Sequence, residues 1–505
     1  MSSENTYSSK VVKGSLLIFI SVVVATVLGY VLRLFLSRNL TLEQFGLLYA
    51  VLIFFGFFGL FRDLGLNHTI VKFIPEFFFR KQFDKIKSFI IFVIIFQIIV
   101  SLIIVIPILY FSDYIALAYF HSIDATIAIQ LLSITFLLNA FLSIFQSALQ
   151  GFNKITYYSV IQPLSMTITL GSIYFLVSLT LLGAVLGYVI AAVVMAVVTF
   201  FMFLKSFPKF SNLKTSIDKP LIKKGLSFSL PVFIGFIGGF LLSYTDTMVL
   251  TYFKTLTDVA YYQVALPTSQ ILWIISTPVV TVLFPVISEM SAKAENKLIS
   301  KTVSISLKFT LVLIIPIATT MFLFSDYIII FLFGSTYLPA SLTLQILSLA
   351  AIPLVLWSVC TIILTSIGQP KIGTKIVIGS AIFNLIGAIL LVQFLGIVGV
   401  AITTALSFLI AFIASYLFLK KAIIIKSFEK NATKSLLGGG FMLLIMILIK
   451  NLLSIDPIIN TIASFLIGVV FYSVFVLYTK VITKNELRTI KKVGVPIPKF
   501  VLDKL

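Results

Sequence analysis

Acid is scarce in this chain: 17 Asp and Glu stand against 37 Lys and Arg, and charged residues of both signs make up only 11% of 505 positions. Cysteine occurs once, as Cys360 in an apolar run, so no intramolecular disulfide is available and nothing follows about redox compartment. His68 and His121 are the two histidines and lie far apart, so no His/Cys cluster has metal-ligand spacing. A P-loop is missing, which excludes ATP binding of the usual kind. No cofactor is expected. The longest polar stretches run to about thirty residues, too short for a soluble domain of useful size.

What the chain has instead is apolar length. Hydrophobic residues make up 60% of it, and mean hydropathy is +1.17. That is the composition of an all-α polytopic membrane protein. Apolar windows place spans near 14–36, 45–61, 88–111, 126–149, 156–180, 182–204, 226–253, 260–286, 303–324, 339–366, 373–394, 396–418, 436–453 and 457–478, about fourteen helices. The stretches 156–204 and 373–418 are too long for one helix each, and Gly183 and Gly396 mark their expected turns. The first run, Gly14–Leu36, exceeds a signal-peptide core and lacks a convincing cleavage site, so it is read as a retained helix.

The net charge of +20 suits nucleic acid in sign, but its distribution follows the positive-inside rule, and no nucleic-acid partner is expected. Lys and Arg crowd the segments after spans 2, 6 and 12 and the tail from Lys480 to Lys504. The opposite loops hold only Arg38, Lys254 and Lys450, with Arg33 near that end of span 1. Both termini are therefore expected in the cytoplasm.

An internal repeat organises the chain. Phe111-Ser112-Asp113-Tyr114-Ile115 recurs as Phe324-Ser325-Asp326-Tyr327-Ile328. Thr41-Leu42 parallels Thr255-Leu256, and Gly151 with Lys154-Ile155 parallels Gly368 with Lys371-Ile372. The offsets stay between 213 and 217. Six spans per repeat is an even number, so the halves share one orientation about an axis along the membrane normal. The expected organisation is a lobe at 1–205, a cytoplasmic linker at 206–224, a second lobe at 225–420, and an added helix pair with a basic tail at 421–505.

No enzyme signature is visible. The stretch Gly225–Phe253 is long and apolar enough to span, yet it carries Asp246. Ser227, Pro231, Gly235, Gly239, Ser243 and Thr247 recur every four residues as a small, polar stripe beside that acid. Either the stripe packs against another helix and the acid is satisfied there, or it walls a cavity and the acid takes part in transport. Arg33 follows Thr26 and Gly29 at helical spacing on span 1, the repeat partner of the span with Asp246. It faces a central cleft or snorkels to the interface. Arg62-Asp63 ends span 2, at a cleft mouth or as a surface pair. Arg suits pyrophosphate through its bidentate fork. Lys308 is expected to snorkel, and Asn139, Gln162, Gln270 and Asn384 to hydrogen-bond between helices. The segment Asn67–Lys87 mixes apolar and basic residues and reads as an amphipathic helix lying near anionic head groups.

Six plus six spans with an added pair, together with the texture of Arg33–Tyr49, Asp63–Glu76, Ala148–Lys154 and above all Ser243–Ala265, resemble the polysaccharide-transporter branch of the multidrug/oligosaccharidyl-lipid/polysaccharide (MOP) exporter superfamily, the Wzx-like oligosaccharide flippases. The resemblance covers most of the chain and is one of architecture rather than of strict motif. It implies flipping of undecaprenyl- or dolichyl-linked oligosaccharide from the cytoplasmic to the outer leaflet. It also implies a V-shaped cavity between lobes, alternating access, a basic interior for the phosphate or pyrophosphate and a side portal for the lipid tail. Family members carry arginines in the first two helices, where Arg33 and Arg62 stand at approximately matching places. The implied partners are lipid-linked oligosaccharide, membrane lipids and glycan-assembly enzymes, and the implied home is a prokaryotic plasma membrane. Multidrug exporters of the superfamily usually have twelve helices and several intramembrane acids in the first lobe; this first lobe is read as having none in mid-span, and two extra helices follow. A cation-coupled drug exporter, with H+ or Na+ acting at Asp246, is the alternative carrier. A glycan polymerase is a third reading, against which the short outer loops weigh.

Overall fold

The computed structural model describes residues 2–207, 210, 213–214, 219–425, 427–452 and 456–483. Much of the expected linker and nearly all of the basic tail lie outside the described residues. Among those described, the chain is helical throughout, without strands. It divides into two compact units, Met1–Ala260 and Tyr261–Leu505. The seventh span thus packs with the first unit, although the sequence repeat begins its second copy with that span.

Unit one contains α1 (Ser2–Asn39), α2 (Leu42–Asp63), α3 (Leu66–Phe79), α4 (Phe83–Tyr110), α5 (Ser112–Ala118), α6 (Ala125–Gly151), α7 (Ile155–Leu176), α8 (Thr180–Ser206) and α9 (Lys219–Phe253). Helix α6 is its axis and touches α2, α3, α4, α5, α7 and α8. α10 (Leu256–Gln270) runs across the unit boundary. Unit two continues with α11 (Ser276–Ala292), α12 (Asn296–Leu323), α13 (Ser325–Phe333), α14 (Ser341–Ser366), α15 (Pro370–Ala422), α16 (Phe428–Leu452) and α17 (Pro457–Tyr478). Its axis is α14, in contact with α11, α12, α13 and α15. Lipid is as apolar as leucine, so burial alone gives helices little reason to associate; close packing and hydrogen bonds hold such bundles together.

Eleven helical stretches among the described residues are long and apolar enough to cross a bilayer. Ile155–Ser206 and Pro370–Ala422 are each two spans joined by an abrupt break, and Leu256–Ile275 with Val279–Ala292 makes one further span bent by 43°. Counting each hairpin as two and the bent pair as one gives fourteen, in line with the apolar windows. The repeat is also visible in local chemistry. Thr41 opens α2 with a capping box: its hydroxyl accepts from the Gln44 amide, and its own amide donates to Gln44 Oε1, both at 3.2 Å. Thr255 and Asp258 make the equivalent reciprocal pair ahead of α10, again at 3.2 Å. Each box satisfies two helix-end donors.

The hairpin turns correct one expectation. In α15 the break falls at Gly396, with φ 55° and ψ −135°. In the first unit it falls at Thr180, with φ 54° and ψ −128°, three residues before Gly183. Gly183 serves a different purpose: a Cβ there would lie 1.8 Å from the carbonyl oxygen of Leu176. The glycine permits close approach across the hairpin, and the left-handed strain is carried by a β-branched threonine, for which it is costly.

Helix α3 corrects a second. The segment after span 2 is helical, but its apolar face is not laid on lipid. Leu66, Ile70, Phe73, Ile74 and Phe77 are buried, and α3 packs on α4, α6 and α9. Of its large hydrophobic residues, Phe78 and Phe79 at the end are exposed. Three neighbouring helices compete for the same face and win because they offer close-packed partners.

Two substitutions test the hairpin in purified protein. Thr180→Gly should raise the thermal unfolding midpoint, corresponding to about 1 kcal/mol of relieved strain. Gly183→Val should lower it by the equivalent of about 2–3 kcal/mol or more through overpacking. Equal midpoints for the two variants would contradict this account of the turn.

Candidate functional site

The end of α2 brings two opposite charges into the interior of unit one. Arg62 is only 8% exposed. Its Nη1 donates to the Phe136 carbonyl oxygen at 2.5 Å, and its guanidinium carbon lies 4.8 Å from the centre of the Phe136 ring. Its Nε–H has no hydrogen-bond partner. A buried donor left in that state costs about 1–3 kcal/mol and is available to an incoming acceptor. Asp63 Oδ1 accepts from the Asn67 amide at 3.0 Å and from Gln97 Nε2 at 3.1 Å. The same Gln97 nitrogen lies 3.3 Å from Asn67 Oδ1. The chain makes this possible by turning sharply after α2: Leu64 and Gly65 both take positive φ, 45° and 76°. A side chain at Gly65 would meet the Ser229 carbonyl oxygen at 2.6 Å, so glycine serves both backbone angle and close approach.

Above this turn unit one encloses a cavity of about 540 Å³, within the range of roughly 300–1,000 Å³ usual for small-molecule sites. One wall is α2 and the start of α3, with Arg62, Asp63, Asn67 and His68. The facing wall is α6, with Thr135, Asn139, Ser143, Gln146, Ser147 and Gln150. Those six recur at three- and four-residue intervals and so form one polar stripe on a membrane helix. Tyr158, Phe233 and Phe236 add aromatic faces, and the rings of His68 and Phe236 lie 4.8 Å apart.

The repeat supplies an internal control. Gly151/Gly368 and Lys154/Lys371 set an offset of 217 at this point, which pairs Asn139 with Leu356, Ser143 with Cys360, Gln146 with Ile363 and Ser147 with Leu364. All four counterparts on α14 are buried in the apolar core of unit two. The same helix is a core ridge in one unit and a polar cavity wall in the other. Amides, hydroxyls and one carboxylate can give and take hydrogen bonds in many directions, as a ligand rich in hydroxyls requires.

A family model described as polysaccharide biosynthesis protein matches residues 11–291. The chain belongs to the polysaccharide biosynthesis protein family. It is 34% identical to an uncharacterised membrane protein of Methanocaldococcus jannaschii over 489 residues, covering 94% of this chain and 95% of the relative. It is 28% identical to a protein of Haloferax volcanii described as a probable low-salt glycan biosynthesis flippase, over 57% of this chain and 61% of that one. Among solved structures it resembles the lipid II flippase MurJ in an inward closed conformation, with TM-score 0.76, 19% identity, and coverage of 91% of this chain and 98% of that one. An inward-facing multidrug-resistance MATE transporter of the MOP superfamily matches with TM-score 0.62, 15% identity, and coverage of 80% and 96%. The family is the one that the resemblance implied, and the fold is that of the MOP transporters. This polysaccharide biosynthesis family member is a multi-span membrane protein.

Of the three residues singled out in the sequence, Arg62 lines the cavity, while Arg33 and Asp246 are not among its lining residues. The Arg33 guanidinium carbon lies 4.0 Å from the centre of the Tyr49 ring, a cation–π contact between α1 and α2, with Tyr188 of α8 within electrostatic reach. Asp246 is 1% exposed, between the buried Thr245 and Thr247. Within the stripe beside it Thr247 is buried, whereas a Cβ at Gly235 or Gly239 would meet nothing within 4 Å. The packed face of α9 instead carries Gly225, Ser229, Gly238 and Leu242. The residues that sequence reasoning missed are the α6 stripe beyond Asn139, together with Asn67, His68 and Gln97. Their signal was present in the three- and four-residue spacing of Thr135 through Gln150.

Gln97→Leu leaves two acceptors at Asp63 and Asn67 without their shared donor. It should cost about 1–3 kcal/mol, read as a drop in thermal unfolding midpoint of the purified protein. A midpoint equal to wild type would show that Gln97 does not hold the acid in place.

Proposed function

We propose that this chain moves lipid-linked oligosaccharide, carried on a polyprenyl or dolichyl phosphate or pyrophosphate, from the cytoplasmic to the outer leaflet of a prokaryotic plasma membrane. The observation that carries the reading is the polar stripe of α6 facing Arg62 and Asp63 across a cavity, where the repeat counterpart is apolar core. Sugar hydroxyls match amide and hydroxyl side chains, and their apolar faces suit Phe136, Tyr158, Phe233 and Phe236. A lipophilic drug cation has no use for six neutral hydrogen-bonding groups along one helix. The flippase functions of the Haloferax volcanii relative and of the lipid II flippase agree in class with this reading. The protein acts as a carrier and not as an enzyme.

In this scheme the glycan occupies the cavity of unit one, and the Arg62 Nε–H donates to a hydroxyl or phosphate oxygen of the substrate. Arg33 binds substrate phosphate, and Asp246 couples movement to H+ or Na+ through its charge. The lobes at 1–205 and 225–420 alternate in access, the pair from 421 onward is added to them, and both termini face the cytoplasm. Glycan-assembly enzymes supply the substrate and take up the product.

The decisive experiment is flipping of a fluorescent lipid-linked oligosaccharide in proteoliposomes, scored by leaflet exposure. Asn139→Leu combined with Gln146→Leu removes two groups worth about 0.5–1.5 kcal/mol each, so transport should fall roughly ten-fold or more with folding intact. Arg62→Lys should retain only part of the activity, because a lysine ammonium cannot both hold the Phe136 carbonyl and direct a second donor where the Nε–H points. Wild-type flipping by the α6 double variant would remove the cavity from the mechanism. Asp246→Asn, assayed across pH and Na+ concentration, tests coupling separately; an unchanged ion dependence returns Asp246 to a packing role.

Topology has its own check. Reporters fused in 205–224 should read cytoplasmic and those in 113–124 external, as the Lys and Arg bias requires. The opposite reading at 205–224 would overturn the orientation.

A further inference from the structure

One hydroxyl in the wall of the unit-one cavity is left without a partner. Serine and threonine in a helix interior commonly donate to a carbonyl three or four residues earlier in the same helix. On α6, Ser133 donates to the Ile129 carbonyl at 2.7 Å and Ser143 to that of Ala140 at 3.0 Å. Thr135 stands between them, lines the cavity and is 9% exposed, and its Oγ1 is buried with no hydrogen-bond partner. Packing alone does not call for a hydroxyl here. At the offset of 217 its counterpart on α14 is Ile352, β-branched like threonine but without the hydroxyl, packed against the apolar core of unit two. A buried hydroxyl with no partner is costly, so its presence in a cavity wall calls for a ligand atom that meets it.

The neighbours of that hydroxyl restrict which atom it is. The Arg62 guanidinium bonds the carbonyl of Phe136, the next residue along α6, and its Nε–H is a second unmet donor in the same lining. Around Thr135 the wall is otherwise apolar. Leu132 lies one turn earlier on α6, and Phe55 of α2 sets its ring centre 5.6 Å from that of Phe136. A sugar hydroxyl held against Thr135 would have to leave its own hydrogen among those carbons. A carbonyl oxygen brings no hydrogen to place, and a methyl group joined to it covers the apolar wall.

Carbonyl and methyl together make an acetyl group. Of the acetyl groups that sugars carry, the amide is a better acceptor than the ester. We propose that Thr135 and the apolar wall around it read the acetamido group of an N-acetylated amino sugar, and so select lipid-linked glycans that carry one. The inference rests on the glycan-carrier reading above and names the substrate class of the same cavity. On a 2-acetamido sugar the flanking carbons bear a hydroxyl on one side and a glycosidic or phosphate oxygen on the other. The Arg62 Nε–H then meets an oxygen adjacent to the group that Thr135 holds, and both unmet donors are satisfied by one sugar residue.

The test reads binding apart from transport. Full-length protein in nanodiscs is titrated with N,N′-diacetylchitobiose and with cellobiose, which differ only in acetamido against hydroxyl at C2, and bound sugar is followed by saturation-transfer NMR. Wild type should bind the acetylated disaccharide about three- to ten-fold more tightly, the worth of one hydrogen bond. Its acetyl methyl should take up more saturation than the ring protons, a signal that needs no variant. Thr135→Val keeps the shape and loses the donor, so it should bind the two sugars alike, with an unfolding midpoint equal to or above that of wild type. Thr135→Ser should keep the preference. Equal binding of both sugars by wild type, binding of neither, or a preference that survives in Thr135→Val would overturn the proposal. Flipping of fluorescent lipid-linked forms of the two disaccharides separates this from the carrier reading. Equal binding together with flipping of both sinks the acetamido subsite alone, whereas an acetamido preference in binding with flipping of neither sinks the carrier reading alone.

Discussion

A guanidinium and a carboxylate stand side by side at the end of α2, and much of unit one follows from keeping both out of bulk water. Desolvating either charge alone is expensive, and their mutual attraction repays the expense only when the remaining donors and acceptors are met. The Phe136 carbonyl meets one donor of Arg62, and Gln97 from α4 with the Asn67 amide meets Asp63. That arrangement demands the left-handed turn at Leu64-Gly65, which in turn demands that α9 approach closely enough to exclude a side chain at Gly65. The burial of α3 against α4, α6 and α9 is then part of the same solution. The unmet Arg62 Nε–H marks the place where the solution stops, at the cavity wall.

The two units show how a duplicated bundle acquires a site. Capping boxes, hairpin breaks and axial helices are shared at nearly constant offset. The axial helix is where they part. On α14 the relevant face packs into core as Leu356, Cys360, Ile363 and Leu364; on α6 it is amide and hydroxyl. One repeated scaffold thus carries a polar, hydrogen-bonding cavity in one half where the other half has apolar core.

Much of this was legible from residue order alone. Spans are the easiest feature, because a bilayer imposes length and apolarity together, and the windows found fourteen. Gly396 was readable as a turn. Gly183 was misread because glycine answers two needs, positive φ and close approach, and only coordinates separate them. Asp246 was visible as an anomaly and is buried, yet its partners within a fold of this size are not encoded locally. The α6 stripe was overlooked because Asn139 considered singly looks like any interhelical hydrogen bonder. Its meaning emerges when Thr135 through Gln150 are placed on one wheel. The amphipathic segment after α2 was recognised as a helix, but periodicity states only that a face is apolar, not whether lipid or protein covers it.

The breaks at Thr180, after the short 3-10 turn Val177–Leu179, and at Gly396 reverse the chain within a few residues, and the carbonyl of Leu176 sits where a side chain at Gly183 would have to be. A reversal with no slack cannot splay, lengthen or twist without first breaking helix. Mechanically, α7 with α8, and the two arms of α15, behave as folded struts: a push at the distant end of one arm arrives undiminished at the free end of its partner on the same side of the membrane. Whatever displacement either bundle undergoes must therefore be absorbed outside its hairpins, and the struts set the stroke that the rest of that bundle has to supply.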